Sequence, residues 1–285
     1  MFEITQRLLL AFLSGYFLCL SGSLSQLTTH NPLSSPSTLG FTGVGVLSIL
    51  GGFFIQKYFL INTSLELIGT VIFLILLLAI FLIVKMNPKT FKHLKNFILL
   101  GIAFNLFVGA IFSIVNFIFI SRGIQFPSSI WFGNFRFTSI ESLVLFMILF
   151  FLSILFVRGQ ARKLELMNLG DLFARNLGVK TSRVTMMSLG VSLILTSVVV
   201  IHFGVFSFVG LVLPHIVRSM KFFKYSIRRE LYFGPIICGI ILLGLDLLCY
   251  QVTIYGAEFP VGMLSAVFGS FALITVLFRS GNMNS

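Results

Sequence analysis

The polar residues that could do chemistry are concentrated in residues 158–183, where six basic and two acidic side chains interrupt long apolar stretches. The core of this segment, LGDLFARNLGV, predicts a short helix. Asp171 can cap its N-terminus, the helix covers 172–177, and Gly178 can take the left-handed conformation that ends it. Such a helix is too short to be stable alone. Its apolar side chains, which need a partner protein or the lipid surface to lie against, are Leu172, Phe173 and Leu177.

No catalytic motif accompanies this segment. The sequence contains no CxxC pair, no GxxxxGK[ST] loop and no HExxH helix, so neither nucleotide binding nor a catalytic or structural metal site is indicated. His202 and His215 fall on different apolar runs and are poorly placed to share a metal. Only Asp246 comes near the middle of an apolar run, where an ion-coupled carrier would keep ionisable groups. An ion-coupled secondary transporter is therefore the alternative to the hypothesis developed below.

The composition places the chain in a membrane. Of its 285 residues 57% are hydrophobic and 10% are charged, and the mean hydropathy is +1.06, which a soluble domain of this length does not show. Apolar runs of about 20 residues without barrel-type alternation predict an all-α, polytopic helical bundle. The net charge of +12 lies in short loops rather than on one basic face, so a nucleic-acid partner is not indicated.

We predict nine membrane spans in a single transmembrane domain, residues 1–285. Their approximate bounds are 8–28, 39–58, 66–84, 96–120, 140–157, 184–203, a seventh beginning near 206, 232–250, and a ninth ending at 279. The loops at 85–95, 158–183 and 218–231, with Arg279, hold sixteen of the twenty basic residues. Because basic loops stay in the cytoplasm, the C-terminus is expected there and, with nine spans, the N-terminus outside.

Several polar features inside the apolar region indicate a pathway or contacts between helices. Residues 29–40 contain two prolines, and non-helical backbone at membrane depth is tolerated only inside protein or along a water-filled cavity. They form either a pathway element or an ordinary tight turn. Asn105 and Asn116 share one face of the fourth span, where amides pair between helices or line a channel. Pro214 predicts a kink, and His215 can hydrogen-bond a carbonyl that the kink frees.

The first half of the chain carries two motifs of a known family. The sequence SGSLSQLTTHNPLSSPSTLG (21–40), preceded by Arg7, resembles the SGxxxQ…NPLAxPxxLG stretch of the FecCD-like ABC-transporter permeases, the type II importers of ferric siderophores, haem and cobalamin. Trp131 with Gly133 is similar to the WxxGS segment of these permeases. An interfacial aromatic anchor would also account for Trp131 by itself.

The second half carries two more motifs in the family's order. LGDLFARNLG (169–178) resembles the LGxxxAxxLG coupling region. FVGLVLPHIVR (208–218) is very similar to FVGLxxPHxxR, and EFPVG (258–262) follows it in the place of ELPxG. The resemblance covers nearly the whole chain.

The resemblance implies a ten-span permease in a bacterial cytoplasmic (inner) membrane, with no enzymatic activity and no cofactor of its own. It implies a dimer of permease subunits, of one or two kinds, with two ABC ATPase subunits that use ATP and Mg²⁺. It further implies an extracytoplasmic substrate-binding protein. The implied cargo is an iron chelate, with a ferric siderophore first, haem next and cobalamin as the alternative.

The resemblance also implies roles for the individual residues that match the family's motifs. The segment implied to dock in a groove of the ATPase comprises Gly170, Asp171, Phe173, Ala174, Arg175, Leu177 and Gly178. Asn31, Pro32 and Leu33 match the turn that the family uses as part of its inner gate. Trp131 lies in the segment implied to cap the outer mouth, and Arg7 matches one of the arginines that meet acids on the binding protein.

The chain departs from the family pattern at the surface implied to meet the binding protein. Ile4 stands where a second arginine is usual, and the arginine that normally follows Asp246 is absent. Docking is therefore expected either to use Arg122 or Arg136 instead or to be less electrostatic. The family normally has a span before the Arg7 motif that this sequence lacks. Either the start is misassigned or nine spans suffice, and the N-terminus expected outside is what loss of that span predicts.

Overall fold

The computed structural model describes residues 2–59, 63–86, 94–123, 130–136, 138–220, 222–223, 226–254 and 257–281. These residues form ten helices and one two-stranded hairpin. The helices are α1 (Phe2–Thr29), α2 (Phe41–Phe59), α3 (Leu65–Met86), α4 (Leu94–Ser121), α5 (Ile140–Asn168), α6 (Asp171–Asn176), α7 (Thr181–Phe203), α8 (Val209–Ser219), α9 (Ile227–Gln251) and α10 (Val261–Gly281). The antiparallel hairpin of β1 (Thr253–Ile254) and β2 (Ala257–Glu258) connects α9 to α10.

The all-α, polytopic membrane bundle predicted from the sequence is confirmed. Among the described residues, α1 to α5, α7 and α9 are long and apolar enough to cross a membrane, and α8 and α10 contribute shorter apolar stretches. Of the basic loops used to orient the chain, residues 87–93, 221 and 224–225 lie outside the described residues.

Two predicted spans have other lengths in the structure. α5 does not end at residue 157 but continues to Asn168; its 29 residues measure about 44 Å, longer than a hydrocarbon core of about 30 Å. Its basic end can therefore project into water while it stays helical. α8 has 11 residues and is about 16 Å long, so the prediction of a full seventh span that begins near residue 206 is wrong. Left-handed backbone at Gly204 and Phe208 keeps the preceding residues out of the helix.

α1 is the central helix of the bundle, and it packs against α5, α7, α8 and α9. Several of its large side chains, including Phe17, are completely buried. Hydroxyl groups join it to α7, because Ser21 exchanges hydrogen bonds with Ser192 (2.6 Å) and Thr196 (2.5 Å). These bonds satisfy polar groups that would otherwise be costly in an apolar interior.

The bundle has two polar ends, separated by the length of α1, about 42 Å. At one end, Arg7 near the start of α1 lines a cleft with residues from the starts of α3 and α5 and the end of α9. We call this end the Arg7 face. At the other end, His30 after α1 contacts Asp171 of α6. We call this end the α6 face.

Candidate functional site

The short helix α6 lies between the projecting end of α5 and the start of α7. It is held by one buried side chain, Ala174, which is fully excluded from solvent. Three large apolar side chains beside it are turned outward: Leu172 is 77% exposed, Phe173 50% and Leu177 56%. Burying such side chains stabilises a contact by about 1.5–3 kcal/mol each, so this face is suited to a partner surface.

The two ends of α6 are built differently from one another. Gly178 has φ +79°, and its N–H and that of Val179 donate to the carbonyls of Arg175 and Ala174, which is the Schellman closure expected at that glycine. The N-terminal prediction was wrong. Gly170, at φ +134°, is the capping residue, and Asp171 is the first helical residue and caps nothing. The Asp171 carboxylate lies instead 3.4 Å from His30.

Arg175 is engaged within the chain. Its Nε donates to Thr181 Oγ1 at 3.1 Å, which ties the end of α6 to the start of α7. Beside this contact is a cleft of about 360 Å³ that is lined by Lys163, Lys180 and Arg183 and by the apolar residues around Leu177. The α6 face therefore combines exposed apolar side chains with positive charge.

The turn between α1 and α2, residues 30–40, which we call the pathway turn, starts exposed and ends buried. Asn31 Oδ1 accepts a hydrogen bond from the Leu33 N–H at 3.0 Å, and Pro32 and Leu33 face outward. From Ser34 to Pro36, and again at Leu39, the turn is enclosed by protein.

The end of the pathway turn lies against the middle of α4. The Asn105 amide donates to the Ser37 carbonyl and shares a hydrogen bond with Thr42, which confirms pairing between elements for this asparagine. Leu39 packs closely on Gly101, where an added Cβ would come within 2.4 Å of the Leu39 carbonyl carbon. The end of the turn is thus non-helical backbone enclosed by the bundle, as the membrane requires.

His215 does not bind the carbonyl that Pro214 frees, which corrects the sequence-based prediction. Its Nε2 lies 2.7 Å from the carbonyl oxygen of Pro32 in the pathway turn. The carbonyl that lacks a helical donor because of Pro214 belongs to Gly210, four residues earlier. It packs against Gly22 of α1, where an added Cβ would lie 1.8 Å from the oxygen. A glycine at both positions lets α1 and α8 touch.

Arg7 on the opposite face is paired inside the chain. Its Nε and Nη2 each donate to a carboxylate oxygen of Asp246 at 2.9 Å, and the guanidinium lies 4.8 Å from the centre of the Tyr250 ring. The two side chains are only 12% and 1% exposed. The expected docking role of Arg7 stays a prediction, and the structure gives this arginine a structural partner on α9.

The other residues expected at the docking surface are more open. Arg122 and Arg136 are exposed, and Arg136 borders a cleft of about 410 Å³ with Arg7, Glu3 and Glu66. The Arg7 face therefore offers charges of both signs.

Trp131 lies at the Arg7 face in a segment that closes over the end of α7. Its ring packs edge-on against Phe112 at 4.9 Å between centroids. Gly133 donates to the Val205 carbonyl at 3.0 Å and accepts from the Gly262 N–H at 2.7 Å, so the segment joins α7 to the start of α10. Its proposed role as a cap on an outer mouth remains a prediction.

The ion pairs of the α6 face were not predicted from the sequence. Arg218 at the end of α8 lies 2.8 Å from Glu230 of α9, whose side chain is 3% exposed, and Arg228 lies 3.2 Å from Glu165 of α5. Each pair joins residues on different helices, and no spacing rule relates their positions.

Comparisons with known proteins agree with this architecture. The model of the FecCD transport family matches residues 4–279. The Fe(3+) dicitrate transport system permease protein FecD of Escherichia coli is 31% identical over 96% of this chain and 83% of its own length. The hemin transport system permease protein HmuU of Yersinia pestis is 29% identical over 98% and 83%.

A solved structure has the same fold. It is described as an inward-facing conformation of a metal-chelate type ABC transporter, with a TM-score of 0.78 at 23% identity over 96% of this chain and 85% of that one. The family model matches almost every residue, and a relative that is 31% identical matches 96% of the chain. This chain belongs to the FecCD transport family.

Proposed function

We propose that this permease moves a ferric chelate across the cytoplasmic membrane, and that α6 is the coupling helix on which the ATPase acts. FecCD permeases are the non-catalytic transmembrane components of ABC importers and use no cofactor, since ATP is hydrolysed by a separate ATPase subunit. An ABC permease of this kind works with that ATPase and with a binding protein.

The observation that carries the coupling role is the exposed apolar face of α6. A six-residue helix that buries only Ala174 of its own side chains has little internal stability, and Leu172 and Phe173 are left in water. A groove on the ATPase that covers these side chains would hold α6 and move with it. The neighbouring Lys163, Lys180 and Arg183 would face acidic groups around that groove.

The coupling role is tested by removing the apolar face without disturbing the chain. We expect Leu172→Asp with Phe173→Asp to abolish co-purification of the ATPase while membrane insertion is retained. Arg175→Glu is less suitable, because Arg175 is bonded to Thr181. Tyr58→Asp is the matched control, since Tyr58 is 64% exposed at the opposite end of the bundle. Undiminished ATPase binding by the α6 double variant would refute the coupling role.

The orientation of the permease in the membrane follows from the same proposal. If α6 meets an ATPase, the α6 face is cytoplasmic and the Arg7 face, with the start of α1, is extracytoplasmic. The binding protein would then dock near Arg122 and Arg136. The pathway turn with Asn31, Pro32 and Leu33 would form the inner gate, and the Trp131 segment the outer cap, in a dimer of permease subunits.

The cargo is assigned from the relatives, whose names specify ferric dicitrate and hemin. A ferric siderophore or a similar ferric chelate is our first choice, haem the second and cobalamin the third. Uptake of radioactive iron as ferric dicitrate, and separately of hemin, into vesicles that contain the permease, its ATPase and its binding protein distinguishes the first two. Equal uptake without ATP would contradict an ABC importer.

An ion-coupled carrier is disfavoured by the structure of the Arg7 face. Such a carrier would need Asp246 to gain and lose a proton or cation during transport. Both oxygens of this carboxylate accept hydrogen bonds from Arg7, which leaves it a structural rather than a transporting group.

A further inference from the structure

Two histidines connect the pathway turn to neighbouring helices. His30 Nε2 lies 3.4 Å from Asp171 Oδ1 at the start of α6, and the two side chains are 41% and 46% exposed. His215 Nε2 lies 2.7 Å from the carbonyl oxygen of Pro32. The exposed beginning of the turn is thus connected to α6 at one residue and to α8 two residues later.

His30 occupies a backbone position that favours glycine. The Asn31 N–H donates to the Gln26 carbonyl at 3.3 Å, which closes α1, and His30 has φ +48°. At the equivalent position after α6 the chain has Gly178. A side chain with a Cβ is disfavoured in this conformation. His30 adopts this disfavoured conformation, and its ring contacts Asp171 of α6. The contact made by the ring, rather than the backbone conformation, therefore accounts for a histidine at this position.

The two elements that hold the turn differ in how firmly they are fixed. α6 has six residues, no side-chain cap and one buried side chain, Ala174. α8 is joined to α9 by the ion pair of Arg218 and Glu230 at 2.8 Å, in which the Glu230 side chain is buried. A displacement of α6 would therefore reach the turn through His30 while Pro32 is restrained by α8.

We propose that His30 is a positioning residue that transmits movement of α6, through Asp171, to the pathway turn, with His215 as the fixed anchor on the other side. This rests on the proposed function, in which the ATPase moves α6. Because the pair is exposed, it adds little to the stability of the fold. Loss of the His30 side chain should therefore change how the turn responds to nucleotide and leave assembly intact. Asp171 lies on α6 itself, so ATPase binding is measured alongside the response of the turn in any variant of Asp171.

The test measures the turn directly and needs no cargo. Leu33 is 51% exposed and the native Cys19, Cys238 and Cys249 are buried, so Leu33→Cys supplies an accessible thiol in the turn. The permease with its ATPase is placed in lipid vesicles, and the rate of maleimide labelling is compared without nucleotide and after trapping with ATP and vanadate. In the parent we expect the two rates to differ by about tenfold.

The variants isolate the contact. His30→Gly, which suits the left-handed backbone, and Asp171→Asn should each reduce the rate difference by about three- to fivefold, the size of one exposed contact between polar side chains. The double variant that combines His30→Gly with Asp171→Asn should reduce the rate difference no further than either single variant does. His30→Arg restores a side chain that can donate to the Asp171 carboxylate and should recover the difference. Glu165→Gln, which removes the exposed pair with Arg228 on the same face, is the matched control and should have no effect.

The failures are distinguishable. An unchanged rate difference in His30→Gly and Asp171→Asn, with the ATPase still bound, would overturn the proposed link through His30 but not the coupling role of α6. The same conclusion would follow if Glu165→Gln reduced the rate difference or if His30→Arg failed to restore it. It would also follow if nucleotide left the labelling rate of the parent unchanged. Continued ATPase binding by the Leu172 and Phe173 double variant would instead overturn the coupling role of α6.

Discussion

The substitution Asp246→Asn tests whether the Arg7 face is held together by an internal ion pair. Asp246 is 1% exposed and Arg7 12%, and two hydrogen bonds of 2.9 Å join them. Removing one member of a buried pair costs about 3–5 kcal/mol, because the remaining charge loses its buried counter-charge. The asparagine oxygen still accepts from Arg7, and the neighbouring cleft admits water, so we expect the lower end, about 3 kcal/mol.

The assay is thermal unfolding of the purified permease in detergent. At about 2–4 °C per kcal/mol for chains of this size, Asp246→Asn should lower Tm by about 6 °C or more. Arg7→Met combined with Asp246→Leu removes both charges together and should recover most of the loss. The exposed pair of Glu165 and Arg228 is the control, and Glu165→Gln should cost less than about 1 kcal/mol.

Equal, small changes in Tm for Asp246→Asn and Glu165→Gln would refute the structural role of the pair. A second result would also refute it: loss of binding-protein affinity in Arg7→Met with no change in Tm. That outcome would return Arg7 to the docking surface predicted from the sequence.

Three further predictions concern close contacts and turns. Gly22→Ala should lower Tm by about 6 °C, roughly 2–3 kcal/mol, because its Cβ would overlap the Gly210 carbonyl; thermal unfolding in detergent measures it. Asn105→Leu should cost about 0.6–2 kcal/mol in the same assay, since the bonds to Ser37 and Thr42 are lost. Gly178→Ala should strain the end of α6 by about 1–2 kcal/mol and weaken co-purification of the ATPase without reducing insertion.

Each of these has a matched comparison in the same chain. Gly190→Ala in α7 adds a Cβ where no atom lies within 4 Å, so a loss as large as that of Gly22→Ala would rule out the steric explanation. Gly159→Ala in α5 is the control for Gly178→Ala, because Gly159 lies in an ordinary helix with open space for a Cβ. An Asn105→Leu protein as stable as the parent would show that the pathway turn is held by packing alone.

The number and nature of the helices could be predicted from the sequence because the bilayer leaves few choices. A hydrophobic run of about 20 residues must become a helix, since every backbone polar group needs an internal partner. The length of α5 was underestimated because Arg158 and the residues after it resemble a loop in composition. A helix that passes beyond the bilayer can carry charge in its last turns. Composition alone does not distinguish such a helix from a loop.

The half-length of α8 could not be predicted in this way. Residues 204–219 are nearly continuous in hydrophobicity, yet Gly204 and Phe208 have left-handed backbone and the helix starts only at Val209. Val205 in the preceding segment instead exchanges backbone hydrogen bonds with Ile130 and Gly133 of the Trp131 segment, and the Ser207 carbonyl accepts from Ser265 of α10. Those partners are distant in the chain, so only packing decides that they meet.

By itself the sequence determined the membrane bundle, the exposed short helix ended by Gly178, and the resemblance to a permease family. These depend on hydrophobicity, on the left-handed backbone that glycine allows and on motif spacing, all of which are local properties of the chain. Tertiary structure alone decided that Arg7 binds Asp246, that His215 binds Pro32 rather than a carbonyl of its own helix, and that His30 contacts Asp171. Each of these pairs joins residues more than a hundred positions apart, and they come within bonding distance only after the helices have packed.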